Sequence, residues 1–241
     1  MNRCVEPELL DELPADDPRA VRSRRDLRRL NALMGNVGVL SAALRAPFQG
    51  RVPRQVADLG AGDGSVMLRL ARRLRVRWRN VEVELVDRQA IVDAEICRQF
   101  EALSWTPKPV RADVFDWLAR SSGERIDLIT ANLFLHHFDD PPLVRLLELA
   151  AERADCFVAC EPRRYPAALR ASRWLWLIGC NPVTRHDAVA SVRAGFRGGE
   201  ISALWPRNGA WQLQEKPLGL FSHCFVAQRR AGSPTSHSND G

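Results

Sequence analysis

The 241-residue sequence contains little lysine, a single tyrosine and no long apolar run. Its most apolar short segment is Trp174–Ile178, far below the ~20 residues that cross a bilayer. No N-terminal stretch has the length of a signal-peptide core. We therefore expect a soluble, cytoplasmic protein without a membrane span.

Cysteine pairs at a metal-binding spacing are also absent. The six cysteines stand at positions 4, 97, 156, 160, 180 and 224, with no Cys-x-x-Cys pair and no set of histidines close to them. A zinc site needs such ligands, so the sequence predicts no metal. The six thiols are expected to be free in a reducing compartment.

The basic residues are almost all arginine. The formal charge is +6, and only Lys108 and Lys216 among the 35 basic residues are lysine, a usage typical of a GC-rich bacterial genome. A positive charge can indicate nucleic-acid binding, but these arginines are interleaved with acids. The densest run, Arg19–Arg29, predicts the polar face of a helix, which we favour over a nucleic-acid patch. The apolar stripe of that helix would consist of Leu27, Leu30, Met34 and Val37.

Length and composition bound the domain organisation. A chain of 241 residues with 46% hydrophobic content can bury one α/β core. We expect an N-terminal helical cap or lid over residues 1–50, a main domain over 51–230 and a disordered polar tail over 231–241. The alternative for the first segment is a helix pair that packs on the edge of a sheet.

The segment Val56–Gly64 carries the strongest functional signal. An apolar strand ends in an acid, and glycines follow at positions 60, 62 and 64. Glycine tolerates positive φ and lets the backbone approach a ligand closely. Apolar residues in Ser65–Leu74 recur at helical spacing, so the loop joins a strand to a helix N-terminus whose free N–H groups point at the ligand.

The spacing of these glycines argues against a dinucleotide. In the pattern G-x-G-x-x-G the helix dipole faces a pyrophosphate, whereas here the third glycine comes one residue early and Ser65 stands in its place. Asp58, two residues before the first glycine, would repel a pyrophosphate and attract an ammonium group. The ligand should therefore carry a cationic amine and no phosphate.

The glycine segment resembles the first motif of the class I S-adenosylmethionine-dependent methyltransferases, Asp/Glu-x-Gly-x-Gly-x-Gly. Asp58, Gly60, Gly62 and Gly64 match this motif without a gap. The resemblance covers most of the chain, roughly from residue 55 to residue 229. It implies S-adenosyl-L-methionine as the cofactor, and it places Ala61 in the binding loop as well.

Two further acids lie at or near the ends of predicted strands. A strand of alternating apolar and acidic residues ends in Asp87, where the resemblance implies hydrogen bonds to the ribose diol and places Arg88 beside the cofactor. A third strand, predicted over Pro109–Val114, contains Asp113. The resemblance implies that Asp113 and Val114 lie near the adenine. The alternative for either acid is an ordinary helix N-cap.

The fourth predicted strand, residues 126–132, ends in Asn132, which the resemblance places against the methionine part of the cofactor. The following loop contains His136 and His137, close to where the transferable methyl group should emerge. An imidazole with a pKa near 6.5 suits a general base for a hydroxyl acceptor. A surface position is the alternative for both, and a helix N-terminus is the alternative for the third candidate, His186.

The order of elements predicts the fold class. Strands alternate with helical segments, and an apolar strand over residues 222–228 comes late in the chain. This order predicts an α/β fold with a Rossmann-like, doubly wound, mostly parallel sheet and a late antiparallel strand, preceded by the helical cap.

The sequence says less about the acceptor. The segment 163–207 is rich in aromatic residues, which could line an acceptor pocket or belong to the core. They include Trp174, Trp176, Phe196 and Trp205, and His186 lies in the same segment. We expect direct in-line methyl transfer to oxygen or carbon of a small aromatic or lipid-like molecule. The oligomeric state is not indicated.

Two alternative functions remain open. One is a nucleic-acid or protein methyltransferase of the same fold, and the other is a partner protein that binds the cofactor without catalysis. Methylation of a base amino group needs a Pro-Pro-aromatic motif directly after the fourth strand, where this chain has Asn132–Leu135. The triplet Asp140–Pro142 starts eight residues later and indicates a helix start with Asp140 as N-cap.

Overall fold

The computed structural model describes residues 1–120 and 125–230, so the predicted tail over 231–241 lies outside the described residues. The strands are β1 (Gln55–Leu59), β2 (Val81–Asp87), β3 (Trp105–Arg111), β4 (Leu128–Asn132), β5 (Cys156–Pro162), β6 (Trp211–Leu218) and β7 (Ser222–Arg229). The helices are α1 (Leu9–Glu12), α2 (Pro18–Met34), α3 (Asn36–Ala43), α4 (Ser65–Leu74), α5 (Ala94–Glu101), α6 (Val114–Ala119), α7 (Asp140–Arg153), α8 (Pro166–Arg173), α9 (Pro182–Ala194) and α10 (Glu200–Leu204), with short 3-10 turns at Leu135–His137 and Leu175–Ile178.

The seven strands form one sheet in the order β3-β2-β1-β4-β5-β7-β6. Strands β1 to β5 are parallel, and β7 runs antiparallel to both of its neighbours. Along the chain, β2 and β3 are added on one side of β1, and β4 is then added on the other side of β1. Such a switch point opens a crevice at the carboxyl ends of the strands. The predicted doubly wound sheet with a late antiparallel strand is confirmed.

Strand β3 begins earlier than the sequence suggested. It spans Trp105–Arg111 and contains Pro107 and Pro109, whereas the prediction placed the strand over Pro109–Val114. Proline is tolerated because β3 is an edge strand that pairs only with β2. Val114 is the first residue of α6 instead, so that part of the prediction was wrong.

Both faces of the sheet are covered by helices. Side chains of β1 alternate, and Ala57 and Leu59 pack into a core that includes residues of α6 and α7. Val56 packs on the other face with Leu40 of α3 and Leu70 of α4. No helix in the described part of the chain is long and apolar enough to cross a membrane.

The N-terminal segment is attached at several points. Its first twelve residues, which we call the N-terminal strap, run along α9, where the carboxylate of Asp187 accepts the N–H groups of Leu9 and Leu10. Helix α3 contributes buried Val39 and Leu40 to the core. Helix α2 lies across α9 and α4, and Gly35, with φ of 70°, separates α2 from α3.

The buried face of α2 is polar, contrary to the predicted apolar stripe. Its buried residues are Ala20, Ser23, Asp26 and Asn31, whereas Leu27, Leu30, Met34 and Val37 are only partly buried, and Val37 belongs to α3. The reason is the partner of α2, which is the polar first turn of α9. Asp26 accepts the N–H of Asn181 at 2.9 Å, and the Ser23 and Thr184 hydroxyls are 2.9 Å apart.

Candidate active site

The glycine loop lies between β1 and α4 at the carboxyl edge of the sheet. Gly60, Gly62 and Gly64 have φ values of 67°, 56° and 75°, a region that residues with a Cβ rarely adopt. Asp63 accepts the N–H of Ser65, the first residue of α4, at 3.0 Å. The loop is therefore the strand-to-helix turn that the sequence predicted, and three of its positions require glycine.

The first glycine is in contact with an aromatic ring. A Cβ built on Gly60 would lie 2.3 Å from a ring carbon of Phe134, in the loop after β4. No comparable contact exists at Gly62, where a Cβ would meet nothing within 4 Å. The sequence analysis missed Phe134, because only the fold brings the loop after β4 onto the loop after β1.

Strand β2 holds the middle of the glycine loop. One carboxylate oxygen of Asp87, at the end of β2, accepts the N–H of Gly62 at 2.9 Å, and the other accepts the N–H of Gln89 at 2.8 Å. Asp87 therefore fixes the loop, and the remaining lone pairs of its two oxygens can still accept bonds from a ligand. The neighbouring Arg88 is exposed.

Asp58 is a buried acid below the loop. Its side chain is on the same face of the sheet as that of Thr130, which pairs with it in register and donates a hydrogen bond of 2.7 Å to it. Burial raises the pKa of the Asp58 carboxyl to about 7, against the opposing effect of the Thr130 bond, and the negative charge of Asp87 adds to the rise. A cation bound beside Asp58 would reverse that effect and stabilise the carboxylate.

A chain of polar side chains links α2 and α3 to the end of β4. Ser222 donates to Asn36, Asn36 donates to Asn31 at 2.8 Å, and Asn132 donates to Asn31 at 3.3 Å. The carbonyl oxygen of the Asn132 side chain is buried without a hydrogen-bond partner among the described residues. An orphan acceptor at the end of β4 fits a ligand that carries N–H donors.

The third acid of the predicted set has a local structural role. Asp113 is the N-cap of α6 and accepts the N–H of Phe115 at 2.8 Å, as the alternative interpretation proposed. Val114 and Ala61 are both buried, at 6% and 9% exposure. Their contact with a cofactor stays a prediction, as do the roles of Asp113 and Arg88.

His136 is enclosed between two carboxylates. Its Nδ1 lies 2.7 Å from Oε2 of Glu161, and its Nε2 lies 3.3 Å from Oε1 of Glu8 in the N-terminal strap. The other oxygen of Glu161 accepts the N–H groups of Phe134 and Leu135, which fixes the turn. Burial lowers the pKa of His136, but the hydrogen bonds and charges of the two carboxylates outweigh it and raise that pKa to about 9.

The other two candidate histidines differ in their surroundings. Nδ1 of His137 lies 3.2 Å from Asp11 of the strap, and its ring centroid is 4.4 Å from that of His136. His186 is on α9, where its half-exposed side chain pairs with Asp187 at 3.0 Å. The fold therefore brings His136 and His137 together at the loop after β4.

A group of three side chains could ligate a metal. Ligating atoms of Glu8, His136 and His137 lie within 4.8 Å of one another. In the structure, Oε1 of Glu8 lies 3.3 Å from Nε2 of His136. Local sequence spacing could not reveal this group, because Glu8 is 128 residues away from His136.

Helix α2 also contacts the glycine loop. Arg28 forms an ion pair of 2.7 Å with Asp63. A cleft of about 360 Å³ opens beside this pair, between the first turns of α4 and α5. It is lined by Arg24, Arg28, Asp63, Ser65, Ile91, Asp93 and Ile96. None of these is Asp58, Asp87 or Asn132, so the cleft does not include these predicted cofactor residues.

The aromatic segment 163–207 divides into two parts. Phe196 and Trp205 are in the core, at 0% and 1% exposure, whereas Trp174 and Trp176 are 58% and 54% exposed. Phe196 and Trp205 are therefore core residues, which was the alternative interpretation of this segment. Trp174 and Trp176 lie on the surface of the protein and do not enclose a pocket.

The sheet order, the glycine loop and the acids at the ends of β1 and β2 define a class I S-adenosylmethionine-dependent methyltransferase. The comparison with protein families agrees, because the model of the methyltransferase domain family matches residues 7–185. The chain belongs to this family and is an enzyme whose cofactor is S-adenosylmethionine. A search of curated proteins gave no match.

Several solved structures share the fold. An O-methyltransferase family protein from Burkholderia thailandensis is 19% identical with a TM-score of 0.61, and the match covers 91% of this chain and 62% of that one, so this chain spans less than two thirds of its length. The plantazolicin methyltransferase BpumL in complex with SAH is 12% identical with a TM-score of 0.62, covering 89% and 92%. The magnesium protoporphyrin IX methyltransferase from Synechocystis with bound SAM is 15% identical with a TM-score of 0.51, covering 86% and 84%.

Proposed function

We propose that this methyltransferase acts on the hydroxyl oxygen of a small aromatic or lipid-like acceptor. The observation that carries the proposal is the wall formed by the loop after β4. Phe134 lies on Gly60, the ring of Phe138 meets it edge-on with centroids 5.2 Å apart, and the His137 ring centroid lies 6.4 Å from it. Aromatic surface next to an imidazole suits a flat, apolar molecule with one ionisable hydroxyl.

The cofactor side of the site consists of buried polar groups. S-adenosylmethionine supplies an electrophilic methyl group when it is bound. We assign the ammonium group of the cofactor to Asp58 and to the orphan side-chain oxygen of Asn132, because both are buried acceptors at the carboxyl edge of the sheet. Asp87 would accept the ribose hydroxyls while it holds the glycine loop through the N–H of Gly62.

The acceptor side would be covered by α2. Asn31 of this helix contacts Asn132 at the end of β4, so its flanking residues lie close to the cofactor residues. Leu27, Leu30 and Met34 are only partly buried by the protein. We infer that this unfilled apolar surface contacts the acceptor, which is the lid role that the sequence predicted for residues 1–50.

His137 is the better placed of the two adjacent histidines to accept the hydroxyl proton. Asp11 lies on its Nδ1 side, and within the described chain its Nε2 has no hydrogen-bond partner. A carboxylate close to Nδ1 favours the proton on that nitrogen, which leaves Nε2 as the proton acceptor. His136 has both nitrogens engaged by Glu161 and Glu8, which makes it a positioning residue.

The comparison with known structures is compatible with transfer to oxygen but does not select it. The Burkholderia thailandensis protein is described as a member of an O-methyltransferase family, and the two proteins share the fold. Their identity of 19% does not carry an acceptor from one to the other, so the choice of oxygen and of an apolar acceptor rests on the wall around Phe134.

The test is a product analysis with purified protein. We would incubate it with S-adenosylmethionine and a panel of phenols, hydroxylated long-chain lipids, amines and a short oligonucleotide, and identify products by mass spectrometry. The proposal expects a methyl ether and an equal amount of S-adenosylhomocysteine with at least one apolar hydroxyl compound. Methylation confined to amines, carbon atoms or nucleic acid would contradict it.

The role of His137 can be measured in the same assay. His137→Gln should lower kcat by about 10²–10⁴-fold, the usual contribution of a general base, while the affinity for S-adenosylhomocysteine stays unchanged. Asp11→Asn should lower kcat less, because it removes the group that orients the base. An unaltered kcat in His137→Gln would remove this histidine from the mechanism.

A further inference from the structure

The surface formed by the end of α8 and the turn after it carries a contiguous run of exposed apolar side chains, which we call the tryptophan patch (Trp174–Ile178). Trp174, Trp176, Leu177 and Ile178 are 58%, 54%, 61% and 51% exposed. The other large exposed apolar residues of the described chain are not adjacent in sequence. Exposed apolar residues that stand alone are ordinary, whereas a contiguous patch marks an interaction site.

The patch is held in a defined conformation. Trp174 N–H donates to Ala171, Leu177 N–H donates to Trp174, and Gly179 N–H donates to Trp176, at 3.0 to 3.1 Å. The two tryptophan rings stack with centroids 6.2 Å apart. On either side the chain is anchored, because Ser172 and Cys180 are 7% and 8% exposed. A hydrogen-bonded turn thus exposes these side chains to solvent.

The chain segment that carries the patch has charges of one sign. Residues 162–186 contain no aspartate or glutamate. They contain five arginines, of which Arg170, Arg173 and Arg185 are exposed. The flanking acids, Glu161 and Asp187, are buried at 0% and 4% exposure.

Helix α2 extends the basic surroundings. Asp26 of this helix is buried and accepts the N–H of Asn181, next to Cys180 at the end of the patch. Arg29 of the same helix is 64% exposed at its side chain. At the start of the helix, Asp17 is paired with Arg19 at 2.8 Å.

We propose that the tryptophan patch docks this enzyme onto the surface of an anionic lipid bilayer. Tryptophan is enriched where an apolar phase meets water, because its ring is apolar and its N–H is polar. Leucine and isoleucine would enter the acyl boundary, and the arginines would meet anionic headgroups. A second copy of the chain fits less well, because an isologous contact would bring the arginine clusters of both copies together.

The patch is close to the cofactor residues. Asp26 contacts Asn181 beside the patch, and Asn31 of the same helix contacts Asn132 at the end of β4. Five helical residues rise by about 7.5 Å. Docking would therefore bring the acceptor side of the enzyme to the bilayer, and the idea that a lipid-like acceptor is taken from that bilayer rests on the proposed function.

The experiment is cosedimentation of the full chain with extruded vesicles, either pure phosphatidylcholine or phosphatidylcholine with phosphatidylglycerol. The proposal expects binding to the anionic vesicles that weakens as salt increases. Trp174→Ser with Trp176→Ser should weaken it by about tenfold or more, through the loss of inserted apolar area. Arg170→Glu with Arg173→Glu should abolish the preference for anionic lipid.

Matched controls separate the patch from general effects. Val76→Ser and Leu220→Ser remove exposed apolar side chains, at 84% and 70% exposure, outside the patch, and should bind vesicles like the unaltered chain. Affinity for S-adenosylhomocysteine, unchanged in every variant, shows that each one is folded.

Two kinds of result would overturn the proposal, one in vesicle binding and one in self-association. One is equal binding of the tryptophan variant and the unaltered chain, or no binding to anionic vesicles at all. The other is self-association of the chain, measured by light scattering, that the tryptophan variant abolishes in the absence of vesicle binding. Because neither measurement involves turnover, failure here leaves the proposed methylation reaction untouched.

Discussion

At the scale of single residues, Asp58 combines burial with a charge that its proposed ligand needs. Its carboxyl is 5% exposed, and Thr130 is its hydrogen-bond donor in the described chain. Burial raises its pKa from 3.8 to about 7. Below that pH the carboxyl is mostly neutral in the cofactor-free protein, so a ligand ammonium group must bind against the cost of ionising it.

This shift predicts the pH dependence of cofactor binding. Affinity for S-adenosylhomocysteine should rise between about pH 5.5 and 7.5, because the carboxylate becomes available as pH passes the raised pKa. Isothermal titration calorimetry across this range measures the trend, and Asp58→Asn is the control that should bind weakly with a flat profile. A flat profile in the unaltered protein would show that Asp58 does not face the ammonium group.

Gly60 and Gly62 offer a matched pair of substitutions. Both have positive φ, but a Cβ on Gly60 would collide with Phe134 at 2.3 Å, whereas a Cβ on Gly62 has open space. Gly62→Ala should cost about 1 kcal/mol for the backbone conformation. Gly60→Ala should cost about 1–3 kcal/mol more, because the well-packed ring must move.

Urea unfolding of both variants measures the difference. Equal free energies of unfolding for the two variants would mean that Phe134 can leave Gly60 without cost. Such a result would weaken the argument that Phe134 forms a fixed wall of the acceptor site, from which the proposed acceptor was inferred.

At the residue scale, the positions of candidate residues could be predicted from sequence where the signal was local, while their roles stay predictions. The acid, the three glycines and the adjacent histidines lie within short segments whose spacing has a physical meaning, and the structure places them at one edge of the sheet. Phe134 on Gly60 and Glu8 beside His136 are contacts across 74 and 128 positions of the sequence. No periodicity encodes such contacts, so the sequence could not reveal them.

At the scale of elements, the packing partners of α2 determine which of its faces is buried, against the prediction from the spacing of its leucines. Its leucines recur at helical spacing, which predicted an apolar buried stripe, yet the buried side chains are Ser23, Asp26 and Asn31. The partners of the helix are the polar first turn of α9 and the end of β4, and these depend on the fold as a whole. Strand β3 was misplaced for a related reason, because only its edge position permits Pro107.

The polar contacts of α2 predict its contribution to stability. Asn31→Ala should lower the free energy of unfolding by about 1–3 kcal/mol, because it leaves the amide groups of Asn36 and Asn132 without their acceptor. Arg28→Ala, which breaks the ion pair with Asp63, should cost about 0–1 kcal/mol, since the arginine side chain is 42% exposed.

Chemical denaturation of both α2 variants gives the comparison. If Asn31→Ala unfolds at the same denaturant concentration as Arg28→Ala, the hydrogen bonds that join α2 to β4 through Asn31 do not stabilise the fold. The lid role of the helix would then lose its main support.

At the scale of the whole molecule, the sheet order brings distant parts of the chain to one edge. β1 lies between β2 and β4, so the loops that follow these three strands meet. The strand and helix order was predictable from sequence because each parallel strand needs a crossover, and such crossovers have a fixed hand. How the N-terminal segment docks was not predictable, because it depends on polar contacts with α9 and the loop after β4.

The most direct test of the account is calorimetric titration of the protein and of Asp58→Ala with S-adenosylhomocysteine at neutral pH. The account predicts one site per chain in the unaltered protein. It also predicts an affinity lower by about 100-fold or more in the variant, because breaking a buried charge pair costs about 3–5 kcal/mol. Absence of binding, or equal affinity in the two proteins, would contradict the assignment of the cofactor site to the loop at Asp58.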